Sequence, residues 1–262
     1  MQLFRILLST VLLALSHSAV GLATHSLIET AELEQRPVLV GERLTYSVKV
    51  AGLSAGKQVT QVVGEMTLDG QSVYHVTSER QSGSMFGKMY HFRDWVESYM
   101  MTECLYPLKH VKEIEDRSYK ARVEVSFDHF AGQAQYTKND RRHPIEVPVG
   151  IQDELSMLYF LRSKELKVGQ TYSFPVLIRD KAENVKLEVY RRQVLKTEAL
   201  GRVETIALRT SHGYLMWLTN DNRRVPVRIE AELPIGKLVG TLEKLEFVKS
   251  STPIPDNKEI GN

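Results

Sequence analysis

The sequence has almost no cysteine. Cys104 is the single thiol in 262 residues, so the chain cannot close a disulfide on itself. Stability must come from an ordinary core, and Cys104 is expected to be buried and inert in a monomer. Charge of one sign is lacking too, with 34 Lys and Arg against 32 Asp and Glu. A protein that grips phosphates carries a strong basic bias, so this balance argues against nucleic acid as the partner. Long apolar runs are missing beyond the N-terminus, and a helical membrane span needs about 20 such residues. There is no zinc-protease pattern, Gly-rich phosphate loop or G-x-S-x-G elbow. No catalytic residue, metal ligand set or cofactor can be assigned from motifs.

The N-terminus reads "MQLFRILLSTVLLALSHSAVGLATHS". Arg5 supplies a positive start, Ile6 to Leu15 are almost wholly apolar, and Gly21 and Ala23 are small residues before a cut. This is the pattern of a secretory signal peptide over residues 1–23. Its apolar run is too short for a membrane anchor, and no Cys follows the cut to carry a lipid. Removing it takes away Arg5 and no acid, which leaves 33 basic and 32 acidic residues. The expectation is an exported, periplasmic or secreted protein that is neither anchored nor a lipoprotein. Residues 24–37 read as a mobile leader, 38–249 as a single β-rich domain and 250–262 as a disordered tail.

The dominant signal in the domain has period two. Leu44, Tyr46, Val48 and Val50 alternate with Thr45, Ser47 and Lys49. Val185, Leu187 and Val189 alternate with Lys186 and Glu188. Val225, Val227, Ile229, Ala231 and Leu233 alternate with Pro226, Arg228, Glu230 and Glu232. Such strands have one dry and one wet face. Similar runs lie near 58–67, 71–80, 89–101, 107–115, 121–129, 171–178, 202–210 and 238–248. Turn chemistry separates them at Asp69-Gly70, Ala131-Gly132, Asn139-Asp140 and Leu200-Gly201. Gly41 and Gly169 are expected to turn the chain into strands. Leu238, Gly240 and Leu242 share one parity and Leu245 and Phe247 the other, so a β-bulge is expected near Glu243-Lys244. "GIQDELSMLYFLRSKEL" (150–166) breaks the rule and reads as a helix, with Asp153 near its start. It is apolar nearly all round, and such a helix is normally buried. The fold class is therefore mainly β: a curved antiparallel sheet or half-barrel receiving one buried helix near 152–163.

Candidate chemistry is thin. In "HFRDWVE" (91–97), His91 shares a strand face with Arg93, while Asp94 goes with Val96. In "KHVKEIED" (109–116), His110 and Glu113 fall on opposite faces. Both read as solvated strand faces, and "DRRHP" (140–144) reads as a basic loop. "MWLTNDNRRVPVRI" (216–229) reads as a hairpin turned by Asn220-Asp221-Asn222. Pro226 falls among its outward residues and marks an edge position or a bulge. Asp221, Arg223, Arg224 and Arg228 could instead anchor an anionic group.

"GERLTY" (41–46), "SAGK" (54–57), "DELSMLYFLR" (153–162), "VGQTY" (168–172) and "WLTNDNRRVPVRI" (217–229) occur in an order and spacing that resemble the exported-protein family catalogued as domain of unknown function 3108. That resemblance spans roughly 38–248 and implies an exported β-rich domain without an established activity. The hairpin phrase also resembles the periplasmic lipoprotein-carrier superfamily, whose half-barrel surrounds an apolar cavity. That superfamily uses several helices where this chain has one. The reading is a non-enzymatic cell-envelope protein that binds an apolar or amphipathic ligand, a lipid or acyl chain. Tyr46, Met157, Tyr159, Phe160 and Trp217 are the candidate lining, although the same residues would fill a solid core equally well. The alternatives are an assembly factor that offers an edge strand to an envelope partner and a hydrolase of envelope polymers.

Overall fold

The computed structural model describes residues 38–83 and 91–249. The signal peptide, leader and tail expected from the sequence lie outside the described residues. Fourteen strands follow one another around a single sheet: β1 (Glu42–Val50), β2 (Leu53–Leu68), β3 (Gln71–Ser82), β4 (Phe92–Met101), β5 (Pro107–Asp116), β6 (Tyr119–Asp128), β7 (Gln133–Lys138), β8 (Arg141–Glu146), β9 (Thr171–Ile178), β10 (Lys181–Thr197), β11 (Gly201–Thr210), β12 (Leu215–Thr219), β13 (Pro226–Leu233) and β14 (Gly236–Phe247). Every strand pairs antiparallel with its sequence neighbour except β8 and β9. β1 also pairs with β14, which joins the two halves of the chain.

The sheet is not closed, and β8 and β9 are its edges. Between them runs the segment that carries the helix. Gln152 lies against the β9 edge, its N–H donating to Pro175 O at 2.9 Å and its carbonyl accepting from Leu177 N at 2.7 Å. Each edge strand holds a proline, Pro144 in β8 and Pro175 in β9. Proline lacks the donor that a ladder needs and is tolerated at an edge. With Arg141 and Arg142 it also blunts β8 against pairing with another chain.

The period-two reading holds in detail. Val185, Leu187 and Val189 are buried while Lys186 and Glu188 are exposed. Gly41 and Gly169 adopt φ of +85° and +92° just ahead of β1 and β9. The register of β1 on β14 steps from Thr45↔Lys244 to Tyr46↔Leu242, so Glu243 is the extra residue of a bulge where the parity change puts it.

Several expectations are corrected. Residues 140–144 are not a basic loop, because Arg141–Glu146 form β8, paired on β7. The run expected near 89–101 forms β4 from Phe92, residues 89–90 lying outside the described part. The helix, α1 (Ser156–Arg162), is shorter than the pattern over 150–166. It begins where Asp153 Oδ1 takes the N–H groups of Leu155 at 2.8 Å and Ser156 at 2.7 Å. Ser156 Oγ in turn accepts the Asp153 N–H at 2.9 Å, a reciprocal pair of bonds that fixes the turn leading into the helix. Met157 and Leu158 are only partly buried because that side of α1 faces the trough, and Phe160, outside the lining, is partly buried too. Pro226 is buried, not outward, at a bulge where Trp217 pairs with Arg228 and Leu218 with Pro226. Cys104 is half-buried, and burial raises its thiol pKa. His110 and Asp94 do not sit on solvated faces, for both point inward and are buried.

Candidate functional site

The curved sheet encloses a trough of about 1010 Å³. α1 closes one end with Leu155, Met157, Leu158 and Leu161. At the other end the strands finish among Lys57, Lys138, Arg141, Arg179 and Asp180, which line the mouth and are exposed. The two long walls differ. The wall from β9 to β12 is aliphatic: Val176, Ile178, Val185, Leu187, Leu208 and Met216. These residues belong to one cluster that also takes in Leu161 and Phe174.

The facing wall, built by β2 to β5, carries a polar stripe. Its rungs follow from the register, with Gln58 opposite Arg80, Arg80 opposite Asp94, Thr60 opposite Ser78, and Val96 opposite Lys112. Gln58 Nε2 donates to Ser78 Oγ at 3.1 Å, and the Thr60 and Ser78 hydroxyls are 3.1 Å apart. The stripe ends in six ionisable side chains. Lys112 Nζ donates to both Glu154 oxygens at 2.8 and 3.1 Å. Arg80 Nη2 lies 3.4 Å from Asp94 Oδ2 and 3.4 Å from Glu154 Oε2. His110 Nδ1 is 3.6 Å from Asp153 Oδ2, and its Nε2 is 3.8 Å from Glu154 Oε1. Ser98 Oγ donates to Asp153 Oδ2 at 2.6 Å.

Burial pushes the Asp94 carboxyl up, and Arg80 and Lys112 only partly offset it. Burial acts on Glu154 in the same sense but loses there. Lys112, Arg80 and His110 together hold it down to about 2. The Glu154 side chain is 34% accessible, and that surface opens into the trough. The depressed value sets a sign. Stability from Glu154 is fully present above its ordinary 4.5 and is lost as the pH falls towards 2. Glu154→Gln is therefore expected to flatten the acid limb of a urea-unfolding series between those values. An unchanged acid limb would show that Glu154 gains nothing from its cations.

The sequence-derived residues divide. Tyr46 and Met157 line the trough. Tyr46 Oη donates to Pro226 O at 2.9 Å, and burial pushes this phenol well above its usual range. Tyr159, Phe160 and Trp217 are not among the lining residues. Tyr159 is buried against Val62, Val76 and Leu155. Trp217 packs with Leu44, Ala207, Val225 and Val227. Phe160 lies beside the trough, its ring 5.7 Å from Phe174 edge-on and 4.2 Å from Lys164 Nζ. Phe160→Ala is expected to cost less than the ~3–5 kcal/mol of a fully buried Phe and to leave binding in the trough unchanged, as denaturation and probe titration would show.

The polar residues of the hairpin serve its turn. Asp221 Oδ1 accepts from Thr219 Oγ1 at 2.6 Å and from the N–H groups of Arg223 and Arg224 at 3.1 Å each. Arg228 Nε donates to Glu230 Oε1 at 2.6 Å. None of Asp221, Arg223 and Arg228 reaches the trough. The sequence reading missed the stripe itself. Its signal was polar residues on the inward parity of three successive strands: Ser78 and Arg80, Asp94 and Ser98, His110 and Lys112. Among the described residues no helix is long and apolar enough to cross a membrane, and no three metal-ligating side chains converge.

Comparison with a solved structure agrees with this architecture. A crystal structure of a β-barrel-like protein of domain of unknown function DUF1849 from Brucella abortus superposes with a TM-score of 0.55 at 11% identity, covering 80% of this chain and 99% of that one. At that identity the likeness concerns the fold. A DUF1089 family protein from Pseudomonas aeruginosa gives a TM-score of 0.39 at 10% identity, covering 66% of this chain and 88% of that one. No curated protein matches the sequence. The family model of the proteins of unknown function DUF3108 matches residues 45–243, from β1 into β14, and the chain belongs to that family.

Proposed function

We propose that this is an exported, non-enzymatic envelope protein that holds one amphipathic molecule, a lipid or another acyl-chain compound, lengthwise in its trough. The observation that carries the reading is the contrast between the two walls. An aliphatic wall of Val176, Ile178, Val185, Leu187, Leu208 and Met216 faces a stripe of amide, hydroxyl and charged groups. An apolar chain removes the first from water, while the second remains hydrogen-bonded. The volume lies at the upper end of the range for small-molecule sites. The signal-peptide pattern of residues 1–23 supplies the compartment. The edge-strand alternative is disfavoured by Pro144, Arg141 and Arg142 on β8 and by Gln152 on β9.

The test is titration with N-phenyl-1-naphthylamine, a neutral apolar probe whose fluorescence rises out of water. Saturable binding of one probe per chain, displaced by long-chain amphiphiles, is the expected result. No binding, or binding that detergent-like compounds do not displace, would overturn the reading.

A further inference from the structure

At the floor of the polar stripe three atoms make no hydrogen bond, Arg80 Nε, Asp94 Oδ2 and His110 Nδ1, and the last two have only long ion-pair contacts, 3.4 Å to Arg80 Nη2 and 3.6 Å to Asp153 Oδ2. All three residues line the trough. Asp94 is 3% exposed and His110 7%. Buried polar groups are nearly always satisfied, and each exception calls for an explanation. Three in one cluster, beside an open space, offer hydrogen-bonding capacity to whatever occupies the trough.

The charges say what that partner is not. Arg80 and Lys112 are the arginine and lysine of the cluster, and both are already engaged by Glu154 and Asp94. Asp153 adds a third carboxylate, held by Ser98 and by two backbone N–H groups. At this floor, away from the cations of the mouth, an incoming carboxylate or phosphate would meet no spare cation and three acids, and an unpaired buried charge is costly. A hydroxyl group suits all three orphans. It can accept from Arg80 Nε–H and donate to Asp94 Oδ2, its second lone pair accepts from His110 where Nδ1 carries the proton, and a neighbouring hydroxyl donates where Nδ1 is bare. The hydroxyl and amide groups of Gln58, Thr60 and Ser78 extend the same chemistry along the wall.

We infer that the part of the occupant that reaches this floor is uncharged and hydroxyl-rich, a glycerol or sugar head on an apolar chain, and not a carboxylate or a phosphate. This rests on the trough reading above and adds the class of head group.

The experiment is displacement of bound N-phenyl-1-naphthylamine by monolaurin, laurate and lauryl phosphate, which share one chain and differ in the head. Each is used below its aggregation concentration at neutral pH. Monolaurin is expected to displace at concentrations about tenfold lower than either anion. Glu154→Gln frees Lys112 and leaves Arg80 to Asp94 alone, so it should bring laurate up to monolaurin, with urea unfolding at neutral pH reporting an intact fold. Laurate or lauryl phosphate binding as well as monolaurin to the wild type would overturn the head-group inference and leave the trough standing. Failure of Glu154→Gln to improve laurate would also overturn it. Failure of the probe itself to bind would remove the trough reading, and this inference with it.

Discussion

Arg162→Ala is expected to lower the unfolding free energy by about 3–5 kcal/mol, the usual cost of breaking a buried pair by removing one partner. Arg162 and Glu42 both have fully buried side chains. Arg162 Nη1 and Nη2 donate to the two Glu42 oxygens at 2.6 and 2.8 Å, a bidentate fork. Its Nε donates to Arg223 O at 2.9 Å, and the guanidinium lies 5.0 Å from the Tyr159 ring centroid. One side chain at the end of α1 thus ties the helix to β1 and to the β12–β13 turn. Truncation leaves Glu42 charged, dry and unpaired, with the Arg223 carbonyl also released. Glu42→Ala should cost a similar amount. The paired replacement Arg162→Met with Glu42→Leu removes both charges at similar volume and should recover most of the loss. Urea unfolding of the three variants decides the matter. A loss below about 1 kcal/mol for Arg162→Ala, typical of a surface pair, would contradict the buried fork.

Filling the trough should separate binding from stability. Val123 on β6 and Met216 on β12 line it and are only partly buried. Extra bulk in a close-packed core costs about 1–3 kcal/mol through strained rotamers and shifted backbone. In a hollow site the same bulk projects into free space. Val123→Trp combined with Met216→Trp is therefore expected to change stability by less than about 1 kcal/mol, while probe affinity falls by more than about tenfold, or ~1.4 kcal/mol. A core-sized loss of stability would mean that no space awaits the indoles. Intact probe binding would mean that the probe sits elsewhere.

Much of the fold was legible because period two is a one-strand property. The bulge at Glu243 followed from a parity change within β14 alone. The bulged hairpin at Pro226 followed from a residue that cannot donate. What stayed hidden depends on residues far apart in the chain. Arg162 falls on the apolar stripe of α1, and nothing near it names Glu42, 120 residues away. Alternation shows two faces of a strand but not which of them looks into the trough. Trp217 and Tyr159 are apolar and buried, yet they are packed away from the space that Met216 and Leu158 line. The polar stripe reads as a wet face in the sequence because Asp94 and His110 have no partner within their own strands. Their partners come from Arg80 and from the turn before α1. The short helix is explained in the same way. Asp153 and Ser156 set its start by side-chain hydrogen bonds, whereas apolar periodicity carries on past both ends.

The central claim is that an apolar chain lies in the trough along the β9–β12 wall, and one measurement addresses it directly. A crystal of the protein grown with bromododecanol would place the bromine by its anomalous signal. The account predicts one dominant peak inside the trough, within van der Waals reach of Val123, Leu208 or Met216. Bromine found only on the outer surface, or no ordered site at a saturating concentration, would contradict it.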